Sequence, residues 1–355
     1  MDDRYDDVID TPRISTAQAP GATANVSATT RIGLDVGTSK IVRARGDGKA
    51  VEAADQLNAF FSVPYAALTQ STLKQNNIPH YREGDELVVC GAAAETFAHM
   101  FNTVTRRPMA RGVLNPMEPA ALRVLEAIMG MLIPNAKQQG EVLAFSVPAP
   151  GGDINSELTY HEGSIKNFLR GKGYTPLAVN EGLAVIFAEL AKESFTGIGI
   201  SCGGGMCNVA LSYLSIPSLT FSLAQGGDYI DASVGAVVNE PATRVKAIKE
   251  EDLDLTRPAT DKIGKALHIY YDKLIETLVD ELIEATSRSH KLPRADHELP
   301  LVLAGGTSMP RGFRDRFEKT LRSRTLPFEI GEVRLASDPL TATARGTLVA
   351  ALAER

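Results

Sequence analysis

Residues 31–40 read RIGLDVGTSK. An apolar strand leads through Asp35 to a sharp turn at Gly37, which short polar side chains follow. Glycine lets the main chain approach a ligand closely, so that successive N–H groups converge on an anion. Asp35 stands where a carboxylate would bind a hydrated magnesium ion through water. Taken alone, the stretch is more typical of a plain hairpin turn than of a phosphate site.

Two further glycine clusters change that interpretation. Residues 199–212 read GISCGGGMCNVALS and repeat the plan of residues 33–46, GLDVGTSKIVRARG: an apolar strand, a glycine turn and a second strand. Residues 301–313 read LVLAGGTSMPRGF, where a buried strand would open through glycines into a helix whose N-terminus suits a nucleotide. Three such clusters favour a nucleotide cleft between two related halves. The residues assigned to it are Asp35, Gly37, Thr38, Ser39, Lys40, Gly203, Gly204, Gly205, Gly305, Gly306 and Thr307.

The composition indicates a soluble globular protein of two domains. The chain has 355 residues, of which 44% are hydrophobic and 23% charged, and this length exceeds one ordinary core. The formal net charge of -6 argues against nucleic acid as a partner. The three cysteines, Cys90, Cys202 and Cys207, show no metal-type spacing with histidine and favour a reducing compartment. The predicted location is therefore the cytoplasm.

The first 29 residues differ in composition from the rest. Five aspartates precede a run rich in serine, threonine, alanine and proline, which cannot bury enough apolar surface to become ordered. The segment is predicted to be a disordered tail. Two interpretations stay open: an extension without a role, and an arm that binds an unknown protein partner. Because the tail is acidic and carries no amphipathic helix, it argues against direct membrane binding.

Beyond residue 29, short apolar runs alternate with helical periodicity. Runs bounded by glycine or proline predict strands, as in ELVVCG (86–91) and EVLAFSVPAP (141–150). The five segments with helical periodicity are residues 118–133, 163–173, 182–193, 265–288 and 338–354. Strands that alternate with helices in this way predict an α/β architecture.

The order of these motifs resembles the superfamily of actin, heat-shock chaperones and sugar kinases. Within it, the sequence is similar to the MreB and MamK group of bacterial actins. Segments outside the nucleotide motifs carry this narrower resemblance, among them RRPMARGVL (106–114), LAQGGDYIDASV (223–234) and DPLTATARGT (338–347). The resemblance implies an actin-like ATPase fold, in which two related domains, each a core plus a small subdomain, enclose a nucleotide cleft.

The same resemblance implies domain boundaries and a function. Domain I would span 30–180, with a small subdomain IB at about 63–111, and domain II would span 181–355, with a small subdomain IIB at about 228–298. The protein would be cytoskeletal, bind ATP or GTP with Mg²⁺, and assemble with itself into filaments. A ligand that binds the closed state better would favour a polymerising conformation. The alternative is a nucleotide-binding scaffold that does not hydrolyse.

The sequence departs from the family pattern at three positions. The second phosphate hairpin normally begins Asp-x-Gly-Gly-Gly-Thr, but here Ser201 replaces the carboxylate and Met206 the hydroxyl. A serine gives a metal no charge and is a poor proton acceptor, so whether the protein is an ATPase stays open. On the helix that faces the nucleoside in the family, Lys246 is retained, while Thr243 stands at the acidic position.

The residue that orients the attacking water is usually a glutamate in MreB-like proteins. Counting forward from Pro148 gives Asn155, whereas counting backward along the predicted helix gives His161, with Glu162 beside it. Glu162 and His161 are the catalytic candidates, set against the simpler interpretation that both are solvent-facing loop residues.

Overall fold

The computed structural model describes residues 30–101, 103–151, 155–289 and 298–354, so the predicted tail at residues 1–29 lies outside the described part. The strands are β1 (Arg31–Val36), β2 (Lys40–Gly46), β3 (Val51–Leu57), β4 (Phe60–Pro64), β5 (His80–Glu83), β6 (Glu86–Cys90), β7 (Met109–Ala110), β8 (Val113–Leu114), β9 (Glu141–Val147), β10 (Tyr174–Asn180), β11 (Gly197–Cys202), β12 (Cys207–Tyr213), β13 (Ile216–Leu223), β14 (Leu299–Ala304) and β15 (Ile330–Leu335). The helices are α1 (Ala67–Gln75), α2 (Ala92–Met100), α3 (Ala121–Leu132), α4 (Asn155–Gly171), α5 (Glu181–Glu189), α6 (Gly227–Val238), α7 (Ala242–Asp252), α8 (Lys262–Arg288), α9 (Phe313–Arg322) and α10 (Ala342–Ala353), with a 3-10 turn at Gly306–Ser308.

Two five-stranded sheets share one plan, as the sequence repeat predicts. The first has the order β10-β9-β1-β2-β3, and the second has the order β13-β12-β11-β14-β15. In each sheet a three-stranded antiparallel meander continues into two parallel strands. The tight turns β1–β2 and β11–β12 therefore occupy equivalent positions in the two halves.

Two helices cross between the sheets and bring these turns together. α5 packs on β11 and β12, α10 packs on β1 and β9, and the two helices pack on each other. A glycine in each central strand permits this close approach. A Cβ at Gly33 of β1 would lie 2.1 Å from the backbone nitrogen of Leu348, and a Cβ at Gly199 of β11 would lie 2.3 Å from the carbonyl oxygen of Gly182.

Smaller units extend from each half. β4, β6 and β5 form an antiparallel sheet, which packs with α1 and α2 around the buried side chains of Leu73, Leu87 and Val89. In the other half, α6 packs on α7 and α8. The predicted domain limits stay a prediction. α10 belongs by sequence to the predicted domain II, but it packs on the first sheet, whose strands belong to the predicted domain I. No helix in the described ranges is long and apolar enough to cross a membrane.

The predicted strands and long helices are present, with one correction. α4 begins at Asn155, eight residues before the predicted start of its periodicity at Gly163. His161 and Glu162 therefore lie on a helix and not in a solvent-facing loop. The first turns of α4 are rich in polar residues, so they lack the apolar repeat that marks a helix in the sequence.

Candidate functional site

Asp35 lies near the end of β1, just before the first glycine turn. Ser146 on the neighbouring strand β9 donates its hydroxyl to Asp35 Oδ1 at 2.8 Å, and the same oxygen of Ser146 accepts the N–H of Val36 at 2.9 Å. Burial raises the pKa of Asp35 to about 6, although the bond from Ser146 acts in the opposite direction. Gly37 closes the turn by donating its N–H to the carbonyl oxygen of Lys40.

The second glycine turn is held by a helix N-terminus and a hydroxyl. At the start of α6, Gly227 donates its N–H to the carbonyl oxygen of Gly203 at 3.0 Å, and Asp228 donates to that of Gly204 at 2.8 Å. Thr307 Oγ1 also donates to the carbonyl oxygen of Gly203, at 2.8 Å. These bonds fix the orientation of the triple-glycine peptides.

The two turns meet face to face. A Cβ on Gly204 would lie 2.1 Å from Ser39 Oγ, and one on Gly205 would lie 2.3 Å from Thr38 Oγ1. Thr38 Oγ1 also accepts the N–H of Gly112 at 2.9 Å. The structure thus brings Thr38 and Ser39 against the triple glycine, where any side chain would collide with them.

The third glycine cluster lies against the end of β11. Gly305 has a φ of 87°, and a Cβ there would lie 2.2 Å from the carbonyl oxygen of Cys202. A Cβ on the next residue, Gly306, would find its nearest neighbour at 3.6 Å, so the close approach is specific to Gly305. Cys202 and Cys207 lie opposite each other in the backbone register of β11 and β12. Both are buried, as expected of core residues.

A second carboxyl lies beside Asp35, and the sequence-based assignment missed it. Glu181 is the first residue of α5 and is buried, and Ser201 Oγ donates to its Oε2 at 3.2 Å. Burial, and then the negative charge of Asp35, raise the pKa of Glu181 to about 8. An acidic residue at the start of an otherwise apolar helix was the available sequence signal. The serine that replaces the family carboxylate therefore binds another carboxyl.

We predict that the free energy of unfolding of the ligand-free protein falls as the pH rises from about 5 to 8. Both carboxyls have folded-state pKa values above their ordinary ones, so they bind more protons in the folded protein than in the unfolded chain in this window and together outweigh His161, whose lowered pKa acts in the opposite direction below pH 6.5. Each additional proton costs about 1.4 kcal/mol of stability per pH unit. Glu181→Gln should flatten the profile above pH 6, whereas the exposed Glu193→Gln should leave it unchanged. Urea titrations across this range measure both, and a wild-type slope in Glu181→Gln would contradict the assignment.

The two lysines predicted to bind the nucleotide, Lys40 and Lys246, form ion pairs with other residues. Lys40 Nζ lies 3.0 Å from Asp55 Oδ2, and both side chains are half exposed. Lys246 Nζ lies 3.9 Å from Glu250 Oε1, one turn further along α7. No contact with the glycine turns is recorded for either ammonium group among the described residues. Their roles at phosphate and ribose stay predictions.

A different lysine of α7 reaches the second turn. Lys249 Nζ donates to the carbonyl oxygen of Gly227 at 3.1 Å and to Asp231 Oδ2 at 2.8 Å, and this ion pair is nearly buried. Its ammonium group lies 3.0 Å from where a Cβ of Gly227 would be, on the same side as Thr307. Lys249 is therefore the cation that α7 places next to the glycine cluster.

The two candidates for orienting water differ in environment. His161 is fully buried, and neither ring nitrogen has a hydrogen-bond partner. Burial lowers the pKa of His161 to about 4, so the imidazole is neutral at physiological pH. Glu162 is half-buried and accepts a bond from Lys166 Nζ at 2.5 Å within α4. The catalytic role of either residue stays a prediction.

The residues present fit a magnesium ion held together with phosphate. Within the described ranges, no group of three or more His, Cys, Asp or Glu side chains could hold a metal by itself. Magnesium in nucleotide sites typically uses one or two carboxylates, several waters and the phosphates. Asp35, half-buried, and Glu181, buried, supply two carboxyls whose raised pKa values show that their charged forms are disfavoured in the ligand-free protein. A cation there would relieve that cost.

Comparisons with known proteins identify a family and several similar folds. A family model described as Volactin matches residues 30–351. A search of curated proteins gave no significant match.

Three solved structures illustrate the likeness in fold. A MamK double helical filament is 18% identical, covers 91% of this chain and 98% of its own, and has a TM-score of 0.67. MreB5 of Spiroplasma citri bound to AMPPNP is 13% identical, covers 91% and 96%, and has a TM-score of 0.59. The ethanolamine utilization protein EutJ from Carboxydothermus hydrogenoformans is 16% identical, covers 92% and 91%, and has a TM-score of 0.56. The predicted α/β actin-like fold, and the resemblance to MreB and MamK, are thereby confirmed.

Proposed function

The chain belongs to the Volactin family, and from its actin-like fold we propose that it is a cytoplasmic cytoskeletal protein that binds ATP, or GTP, with magnesium and assembles into filaments. The observation that carries the proposal is the contact of two glycine turns, next to which lie the half-buried carboxyl of Asp35 and the buried carboxyl of Glu181. Three neighbours support it: MamK as a double helical filament, and MreB5 bound to AMPPNP and to ADP.

In the proposed complex the phosphates lie between the two turns. Thr38, Ser39 and the triple glycine would bind them, and Asp35 and Glu181 would hold the waters of the metal. Magnesium supplies the charge that neutralises the phosphates. Because one turn belongs to each half, the nucleotide would hold the two halves together and favour the polymerising conformation.

The N-terminal tail would then be free to serve as an arm for a protein partner. We retain the limits 30–180 and 181–355 as proposed domains, with small subdomains IB at 63–111 and IIB at 228–298. Self-association is the partnership that the MamK filament supports.

A second candidate function is a nucleotide-binding scaffold without hydrolysis. The specific observation in its favour is Ser201, whose hydroxyl donates to Glu181 and supplies no carboxylate at the end of β11. A serine hydroxyl gives a metal no charge and is a poor base. Hydrolysis, if present, would be slow for this reason.

We predict that Ser201→Asp accelerates phosphate release from ATP by about tenfold or more, because it restores a carboxylate that gives the metal charge and accepts a proton. Ser201→Ala is the matched control: it removes the bond to Glu181 without adding charge, and should release phosphate no faster than the wild type. Phosphate release by purified protein with magnesium and ATP measures all three. Equal rates for the aspartate and alanine variants would show that Ser201 does not limit hydrolysis. Fast release by the wild type would reject the scaffold.

A further inference from the structure

An arginine from the first half reaches across to the second. Arg107 lies in the segment between α2 and β7, and its Nη1 lies 2.9 Å and 2.8 Å from the two carboxylate oxygens of Asp228. The same nitrogen donates to Ser39 Oγ at 3.3 Å. The two charged side chains are 26% and 38% exposed, so water and small ions can reach the pair.

The acceptor, Asp228, lies against the second glycine turn. Asp228 is in the first turn of α6, and its own N–H donates to the carbonyl oxygen of Gly204. Its Oδ1 lies 3.6 Å from the position of a Cβ on Gly204, and Ser39 Oγ lies 2.1 Å from the same position. The guanidinium of Arg107 therefore spans Ser39 of the first turn and Asp228 of α6, beside Gly204 of the second turn.

Guanidinium binds carboxylate and phosphate oxygens through the same charge-assisted bonds, so a carboxylate in this position occupies a place that suits a phosphate. Lys40, the basic residue within the first turn, pairs with Asp55 instead. Within the described residues, Arg107 is thus the cationic side chain that contacts the Ser39 hydroxyl.

We propose that Arg107 is a phosphate ligand of the nucleotide site and that Asp228 is its internal competitor, which occupies the guanidinium when no phosphate is bound. This inference rests on the proposed function. It adds that nucleotide binding replaces a bridge between the two halves, Arg107 to Asp228, with one that runs through the phosphate.

The exchange makes the two partners of one ion pair act in opposite directions. Arg107→Gln removes a ligand and should weaken binding of AMPPNP with magnesium by about tenfold or more. Asp228→Asn frees the guanidinium and should tighten binding by about threefold or more, because a larger fraction of the protein is then competent to bind. A purely structural ion pair would make both variants bind more weakly.

The test is isothermal titration calorimetry of the full chain with magnesium AMPPNP, with thermal unfolding as a check of folding. The double variant Arg107→Gln/Asp228→Asn should bind like Arg107→Gln alone, because the gain from Asp228→Asn acts through the arginine. Arg106→Gln is the matched control, since Arg106 pairs with Glu118 and lies over the ring of Phe60. It should bind within about twofold of the wild type, as a charge outside the site would.

A failure of the proposed nucleotide function can be distinguished from a failure of the role proposed for Arg107. If the wild type binds neither AMPPNP nor ADP, the proposed nucleotide function fails and this inference fails with it. If the wild type binds but Asp228→Asn weakens binding, or if Arg107→Gln leaves it unchanged, nucleotide binding stands and the role assigned to Arg107 is wrong.

Discussion

Gly346→Ala should lower the free energy of unfolding by roughly 3 kcal/mol or more, or prevent folding, which is the largest effect expected of any single substitution here. Gly346 lies in α10, where a Cβ would be 1.7 Å from the carbonyl oxygen and 2.4 Å from the carbonyl carbon of Ala184 in α5. Both atoms are backbone, so no side chain can move aside. The variant would force apart the helices that position the two glycine turns.

Gly130→Ala in α3 is the matched control. A Cβ at Gly130 meets no atom within 4 Å, so this change should be neutral or stabilise the protein by about 0.5–1 kcal/mol through helix propensity. Urea denaturation followed by circular dichroism compares the two variants. A Gly346→Ala protein within 1 kcal/mol of the wild type would show that the α5–α10 contact is looser than described.

Asp35→Asn should make the ligand-free protein more stable and remove its response to magnesium and ATP. At pH 7.5 the wild type bears the cost of an ionised, half-buried Asp35, whose pKa is raised to about 6. Asparagine keeps an acceptor for the hydroxyl of Ser146 and removes the charge, so a gain of roughly 2 kcal/mol is expected. With magnesium and ATP at about 100 times the dissociation constant, the wild type should gain about 2.7 kcal/mol and the variant less than about 1 kcal/mol.

Asp35→Asn should therefore raise the stability of the ligand-free protein but reduce the stabilisation by ligand. A carboxyl kept only for structure would destabilise the protein when replaced and leave ligand binding alone. Asp55→Asn, on the same sheet and half exposed, is the control and should change stability by less than about 1 kcal/mol. Chemical denaturation with and without ligand measures all three proteins. A less stable Asp35→Asn protein that still responds to ligand would contradict a metal-binding role.

The repeat of strand, glycine turn and strand made the two sheets predictable. Apolar strands such as β1 and β11 are bounded by glycine and read clearly from the sequence. β3 was not predicted, because its sequence VEAADQL mixes small apolar and polar residues without a clear alternation, and its residues are half-buried or exposed at a sheet edge. α6 was also missed, since glycines interrupt its apolar pattern, and α7 was expected only through the family resemblance, since charges interrupt its own pattern.

Parts of the candidate site were accessible from the sequence and parts were not. Asp35 and the triple glycine follow from local patterns, because a turn brings its own residues together. Glu181, Lys249 and Arg107 are distant in the chain from the turns that they approach. Their placement depends on how helices and loops pack, and a single sequence does not display this. Lys40 shows the converse: it lies in the motif, but its side chain leaves on the side of β3 and pairs with Asp55.

Nucleotide-dependent assembly can be observed by electron microscopy of the negatively stained protein. We predict regular filaments, and sedimentation of the protein on centrifugation, with magnesium and AMPPNP. We predict few or none without nucleotide, or with Asp35→Asn under either condition. Absence of any ordered assembly by the wild type over a wide range of nucleotide and salt concentrations would contradict the account.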